Sequence, residues 1–188
     1  MFHGLQIANK KAYLGEMKSH NGMRPQDVVI LLKILTVKVP DWQYRDLASD
    51  LFLSISEISE SLQRSRIAGL IDDSRRNVFK QSLAEFIEHG LRYVFPQIPG
   101  TLVSGAPTAH SHKFFRDSFP PQLEYVWPDD NGSRRGLSIT PLYKGVTKAI
   151  RKDEDLYLLL AAVDVIRVGR AREIKMAIEV LHKYIIGK

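Results

Sequence analysis

Ser54-Ile55-Ser56-Glu57-Ile58-Ser59-Glu60-Ser61-Leu62-Gln63-Arg64-Ser65 is the stretch that decides the fold. A serine followed three residues later by glutamate fits the capping box: the serine oxygen accepts from the backbone N–H at 57, and the glutamate reaches back to the N–H at 54. A helix therefore starts at Ser54. Ile58 and Leu62, four apart, give it one buried face. Gly69, which takes the left-handed conformation without steric cost, marks its end.

Upstream, residues 43–51 read as a second helix with Leu47, Ala48 and Leu51 facing inward. Before it, Pro25 suits a first helical turn and Asp27 the positive end of the helix dipole. They open a helix so apolar from Val28 to Leu35 that it must be buried on several sides, and Val39-Pro40-Asp41 stops it. Downstream, Leu70-Ile71 suggests a short strand, residues 72–77 a polar loop, and residues 79–93 an amphipathic helix turning Leu83, Phe86, Ile87 and Val94 inward. Residues 97–121 are rich in Gly, Pro, Ser and Thr without periodicity and read as an irregular linker or surface loop. Two short strands follow, residues 123–127 and 136–140, joined through Asp129-Asp130-Asn131-Gly132 as a hairpin. Residues 153–168 and 171–186 form two further helices that meet at Gly169, with Leu156, Leu159, Leu160, Val163 and Ile166 on the apolar side of the first.

The expected fold is thus mainly α with a small β component. It divides into a basic tail (1–22), a helical domain (23–96), an irregular connection (97–122) and a β-hairpin plus helices (123–188) that supplies dimerisation or sensing. The chain has 188 residues, 44% of them hydrophobic and 26% charged, which is enough for a real core. It contains no cysteine, so disulfides, thiolate metal sites and cysteine nucleophiles are excluded, and a reducing cytoplasmic location is expected. No run approaches the ~20 apolar residues of a membrane span. The net charge of +6 invites a nucleic-acid partner. It is spread rather than focused, however: residues 1–95 hold 13 Lys and Arg against 11 Asp and Glu, and residues 96–188 hold 14 against 10.

Tyr44-Arg45-Asp46-Leu47-Ala48, Leu53-Ser54, Ile58-Ser59, Leu62 and Ala68-Gly69-Leu70-Ile71 together resemble the winged helix-turn-helix of bacterial transcription regulators, the MarR-like group being nearest. The resemblance covers residues 24–93. It implies that Ala48 lets two helices cross closely, that Leu53 plugs the turn, and that Ile58 and Leu62 pin a recognition helix whose outer face enters a major groove. On that face Ser54, Ile55, Ser56, Ser59, Glu60 and Gln63 would meet base edges or phosphates, while Arg64, Arg66, Arg75 and Arg76 would hold the flanking backbone, the last two from the position of a wing. Glu57 and Glu60 depart from the group's pattern by placing negative charge on this helix, and residues 72–78 are short for a two-stranded wing. The second half of the chain, with residues 89–96, 105–108 and 164–173, resembles an uncharacterised group of bacterial helix-turn-helix proteins and implies no activity.

The functional expectation is a DNA-binding transcriptional regulator acting as a homodimer on double-stranded DNA. The alternative is a protein-interaction module, an antitoxin or adaptor, whose acidic helix contacts a protein partner. A third reading is a small-molecule sensor using residues 93–143, with Tyr93, Phe95, Trp127 and Tyr143 as pocket walls rather than core. No enzyme, cofactor or metal is expected, since there is no Gly-rich phosphate loop and no dinucleotide fingerprint. His110 and His112 read as solvated loop histidines, His89 as a packed or capping histidine in its helix, and Arg167, Arg170 and Arg172 as a solvated cluster at a helix junction.

Overall fold

A computed structural model of the chain describes residues 22–119 and 124–187; nearly all of the basic tail, and Leu123 at the head of the first expected strand, lie outside them. Three helices come first: α1 (Pro25–Thr36), α2 (Tyr44–Leu51) and α3 (Ile55–Ile67). Val28, Val29, Ile30, Leu31 and Leu32 of α1 are all fully buried, as its continuous apolar run requires. Each such side chain contributes on the order of 1.5–3 kcal/mol by leaving water. Leu47, Ala48 and Leu51 of α2 and Ile58 and Leu62 of α3 close around it.

After α3 the chain makes a single antiparallel bridge, Ile71 to Val78, around a polar turn. It then continues through α4 (Lys80–Glu85), a π-turn (Phe86–Gly90) and α5 (Leu91–Val94). The π-turn inserts one residue into the helix and rotates everything beyond it. Leu83 and Ile87 are buried as expected, but Val94 is 53% exposed, while Leu91 and Phe95 pack inward in its place. His89 at the π-turn is exposed rather than packed.

The stretch expected to be an irregular connection is structured. It holds β1 (Leu102–Pro107), a 3-10 turn (Ala109–Ser111) and α6 (Lys113–Arg116). The expected hairpin is absent as well. β2 (Tyr125–Pro128) and β3 (Arg134–Ser138) both pair antiparallel with β1, with Ala106 opposite Trp127 and Leu102 opposite Leu137, and they meet each other in a short parallel pairing, Tyr125 opposite Leu137. The three strands close on themselves. So small a ring brings backbones together: a Cβ at Gly105 would strike the Trp127 carbonyl, and one at Gly132 the backbone of Gly105. Glycines that resemble loop punctuation are there because nothing larger fits.

Short helix α7 (Val146–Ala149) leads to α8 (Glu154–Val168), whose N-cap Asp153 accepts from the Leu156 N–H, and to α9 (Ala171–Ile185). One cluster of buried apolar residues runs from Val28 in α1 through Trp127 in β2 to Ile185 in α9, so the two halves share a core. Buried polar groups tie it together. Lys33 of α1 reaches Asp50 of α2 at 2.9 Å and Asp153 at 2.8 Å. Asp164 of α8 accepts from the Thr108 hydroxyl (2.8 Å), the Trp127 indole N–H (2.6 Å) and Arg167 (2.7 Å). Arg167 also donates to the carbonyls of Phe95 and Thr140. It is therefore an internal clamp and not part of a solvated cluster.

His110 and His112 are likewise buried, not solvated. His112 accepts from the Phe114 N–H and stands edge-on to Tyr157 at 4.4 Å, and burial pushes its pKa down to about 4. His110 Nε2 lies 3.0 Å from Glu173. Trp127 and Tyr143 belong to the core, and Tyr93 is exposed, so these aromatic residues do not enclose a common pocket.

Candidate nucleic-acid interface

Only three residues separate α2 from α3. Phe52 caps α2 in the left-handed conformation (φ 55°), Leu53 packs against the core, and Ser54 caps α3. Phe52 is an unusual occupant, because a left-handed non-glycine residue carries backbone strain. The capping box forms as the sequence suggests: Glu57 N–H donates to Ser54 Oγ at 3.2 Å, and Ser54 N–H donates to the Glu57 carboxylate at 2.8 Å. Those bonds to the Ser54 backbone and hydroxyl hold the Glu57 carboxyl below its ordinary range.

With Ile58, Ser61, Leu62 and Ser65 turned inward, α3 presents Ile55, Ser56 and Glu60 to solvent. Ser59 and Gln63 are half-buried on the flank of that face, and Ser54 is exposed at its start. The small side chains of Ser61 and Ser65, both fully buried, let α3 lie close against α1. The outer face is therefore a strip of hydroxyl, amide and apolar groups with two carboxylates, Glu57 in its first turn and Glu60 in its middle.

The arginines are placed differently from expectation. Arg64 is not on the outer face. It is 6% exposed, and its guanidinium grips Asp27 of α1, with Nε and Nη2 at 2.9 and 2.6 Å from the two carboxylate oxygens. A phosphate contact from Arg64 would break that pair, so its assignment to the DNA backbone is corrected: it anchors the helix. Arg66 is half-buried and pairs with Asp73 at 3.0 Å. Arg76 lies 4.5 Å above the Trp42 ring and donates to the Trp42 carbonyl, which ties the post-α3 turn to the start of α2. Arg75, left-handed at φ 59°, is the one of the four whose guanidinium has no hydrogen-bond or ion-pair partner among the described residues.

The turn that carries Arg75 is organised by Asp72. Its carboxylate accepts from the Ser74 hydroxyl, the Asn77 amide and the backbone N–H groups of Arg76 and Asn77, which hold it well below the usual carboxylate range. The result is a compact, rigid turn beside the C-terminal end of α3, shorter than a two-stranded wing. Asp27 and Trp42, the partners that take two of the four arginines, are not legible as such in the sequence. Asp27 carried a signal, an acid at the head of an otherwise apolar helix, but one equally explained by the helix dipole.

Among the described residues no helix is long and apolar enough to cross a membrane. No family profile matches the chain, and neither a curated protein nor a solved structure matches it.

Proposed function

We propose that the chain is a cytoplasmic DNA-binding regulator of the winged helix-turn-helix kind, in which α3 reads the major groove and Arg75 approaches the phosphate backbone from the adjoining turn. The observation that carries this is the construction of α3. One face is fixed by Ile58, Leu62 and the Arg64–Asp27 pair, the other is free, and a three-residue turn sets its angle to α2. Ser56, Ser59 and Gln63 offer donors and acceptors suited to base edges, and Glu60 an acceptor suited to cytosine N4. As a homodimer the protein would place two such helices on half-sites about one DNA turn apart. A salt-titrated mobility-shift assay on DNA upstream of its own gene tests the reading.

One observation favours a second reading, a protein-interaction module such as an antitoxin or adaptor. With Arg64 withdrawn into the core, the exposed face of α3 from Ile55 to Glu60 carries no cation and two carboxylates, Glu57 and Glu60. Glu60→Ala separates the two. DNA affinity holds or rises when the carboxylate is removed, whereas a protein partner that reads it is lost.

A further inference from the structure

A cleft of about 260 Å³ opens in the second half of the molecule, between the loop that joins β2 to β3 and the first turn of α8. At about 30 Å³ per water it has room for on the order of nine waters, the scale of a small metabolite. Its apolar wall includes Ile150 and Tyr157, and the Tyr157 hydroxyl donates to the Pro107 carbonyl at 2.5 Å, which fixes the ring. Its charged groups are Asp129, Arg151 and Glu154.

The charges select the occupant. Asp129 is already satisfied by Arg151 at 2.8 Å and by the Asn131 N–H at 3.0 Å. Arg151 and Glu154 are 55% and 69% exposed and keep donors and acceptors to spare. The partner of Glu154 is Lys113, itself 71% exposed, and such a solvated pair yields readily to a ligand. Asp129 and Arg151 offset each other, so a lone anion would meet the unbalanced Glu154 carboxylate, and a lone cation would engage Glu154 but leave the spare Arg151 donors unused. A zwitterion uses both.

We propose that this cleft binds a small zwitterion, an amino acid with an apolar side chain. Its carboxylate meets Arg151, its ammonium meets Glu154, and its side chain lies on Ile150 and Tyr157. Occupancy is felt at the turn between α2 and α3, because one segment touches both places. Thr147, Ile150 and Arg151, in and just after α7, line the cleft. From the same segment Lys148 and Lys152 stand 5.9 and 5.2 Å over the Phe52 ring. Gly145, immediately before it, sits so close to the Leu51 carbonyl that a Cβ would not fit. The consequence for DNA rests on the reading above, but the binding does not.

Calorimetric titration of the full chain with each common amino acid tests the site without DNA. At least one apolar amino acid is expected to bind, and its methyl ester and its N-acetyl derivative, each lacking one charge, to bind tenfold or more weakly. Arg151→Gln and the surface change Glu154→Gln are each expected to cost a similar factor with the melting temperature unchanged. No binding by any of them at about 10 mM, a free energy weaker than about 3 kcal/mol, overturns the proposal, as does binding that both variants leave intact. Movement of the Phe52 ring resonances on saturation supports the link to the turn, and binding that leaves them in place overturns it. A chain that binds an amino acid but no DNA counts against the DNA reading and not against the cleft.

Discussion

Arg64 in the last turn of α3 reaches across to Asp27 in the first turn of α1, where its Nε and Nη2 meet the two carboxylate oxygens at 2.9 and 2.6 Å. Asp27 is fully buried and also accepts from the Arg24 N–H at 2.8 Å, so its charge has no access to water. The pair sets the depth and rotation of α3, and with them the face that α3 offers to a partner.

Removing one member leaves the other as an uncompensated buried charge. Asp27→Ala and Arg64→Ala are each expected to cost about 3–5 kcal/mol in urea unfolding, while the double change Asp27→Leu with Arg64→Met loses much less than the sum of the singles. Additive losses would show that the two residues do not act as a unit.

The cap of α3 is smaller but separable. Ser54→Ala is expected to cost about 1 kcal/mol. The pKa of Glu57 is lowered by its bonds to Ser54, so the stability it contributes is present above the unfolded glutamate value of 4.5 and is lost as pH falls through the folded value. Thermal melts taken across that acid range should show a flatter dependence in Ser54→Ala than in the parent chain.

His112 acts at higher pH. Burial, assisted by the nearby Lys113 charge and opposed by Glu154, pushes its pKa from 6.5 to about 4. The folded state keeps the ring neutral, so the unfolded chain takes up more protons between those values, and stability declines as pH falls through that window. His112→Asn, which retains an acceptor for the Phe114 N–H, is expected to be less stable at neutral pH but to lose that part of the slope. An unchanged slope would place its origin elsewhere.

Asp164 is the central acceptor of the second half. Asp164→Ala orphans Arg167 and the Trp127 indole together and is expected to destabilise by about 3–5 kcal/mol. In Asp164→Asn, where the fold is better retained, the Trp127 indole N–H resonance should move upfield as the charged acceptor at 2.6 Å is replaced by a neutral one. The Trp42 resonance serves as an unaffected reference.

What was legible in the sequence depended on distance along the chain. The five long helices, the capping box and the role of Gly69 are local patterns with a period or a cap, and the structure has each of them. Val94 went astray because one extra residue in the π-turn, whose Glu88 lies 3.0 Å from His182 on α9, shifts the helical face with no mark in the local pattern. β1 was hidden because residues 102–107 lack alternation, and their partners stand some twenty to thirty-five positions away.

The candidate site divides the same way. The outer face of α3 follows from Ile58 and Leu62 by helical geometry alone, so Ile55, Ser56 and Glu60 were placed correctly as exposed. Arg64, Arg66 and Arg76 resembled free surface cations because Asp27, Asp73 and Trp42, which engage them, are identified only by folding. His110 and His112 resembled loop residues because nothing nearby in sequence announces the Tyr125 and Tyr157 rings they pack on.

Whether α3 reads DNA from a scaffold in which Arg64 is structural and Arg75 faces the phosphate backbone is decided by the salt dependence of binding. The measurement is fluorescence anisotropy of a duplex from upstream of the chain's own gene, with the parent protein and with Arg75→Ala and Gln63→Ala. Log affinity is expected to fall linearly with log salt, Arg75→Ala to reduce the slope by about 1, and Gln63→Ala to relax discrimination among sequences at an unchanged slope. Absence of binding even at low salt, or a slope and sequence preference that neither substitution alters, would contradict that role for α3.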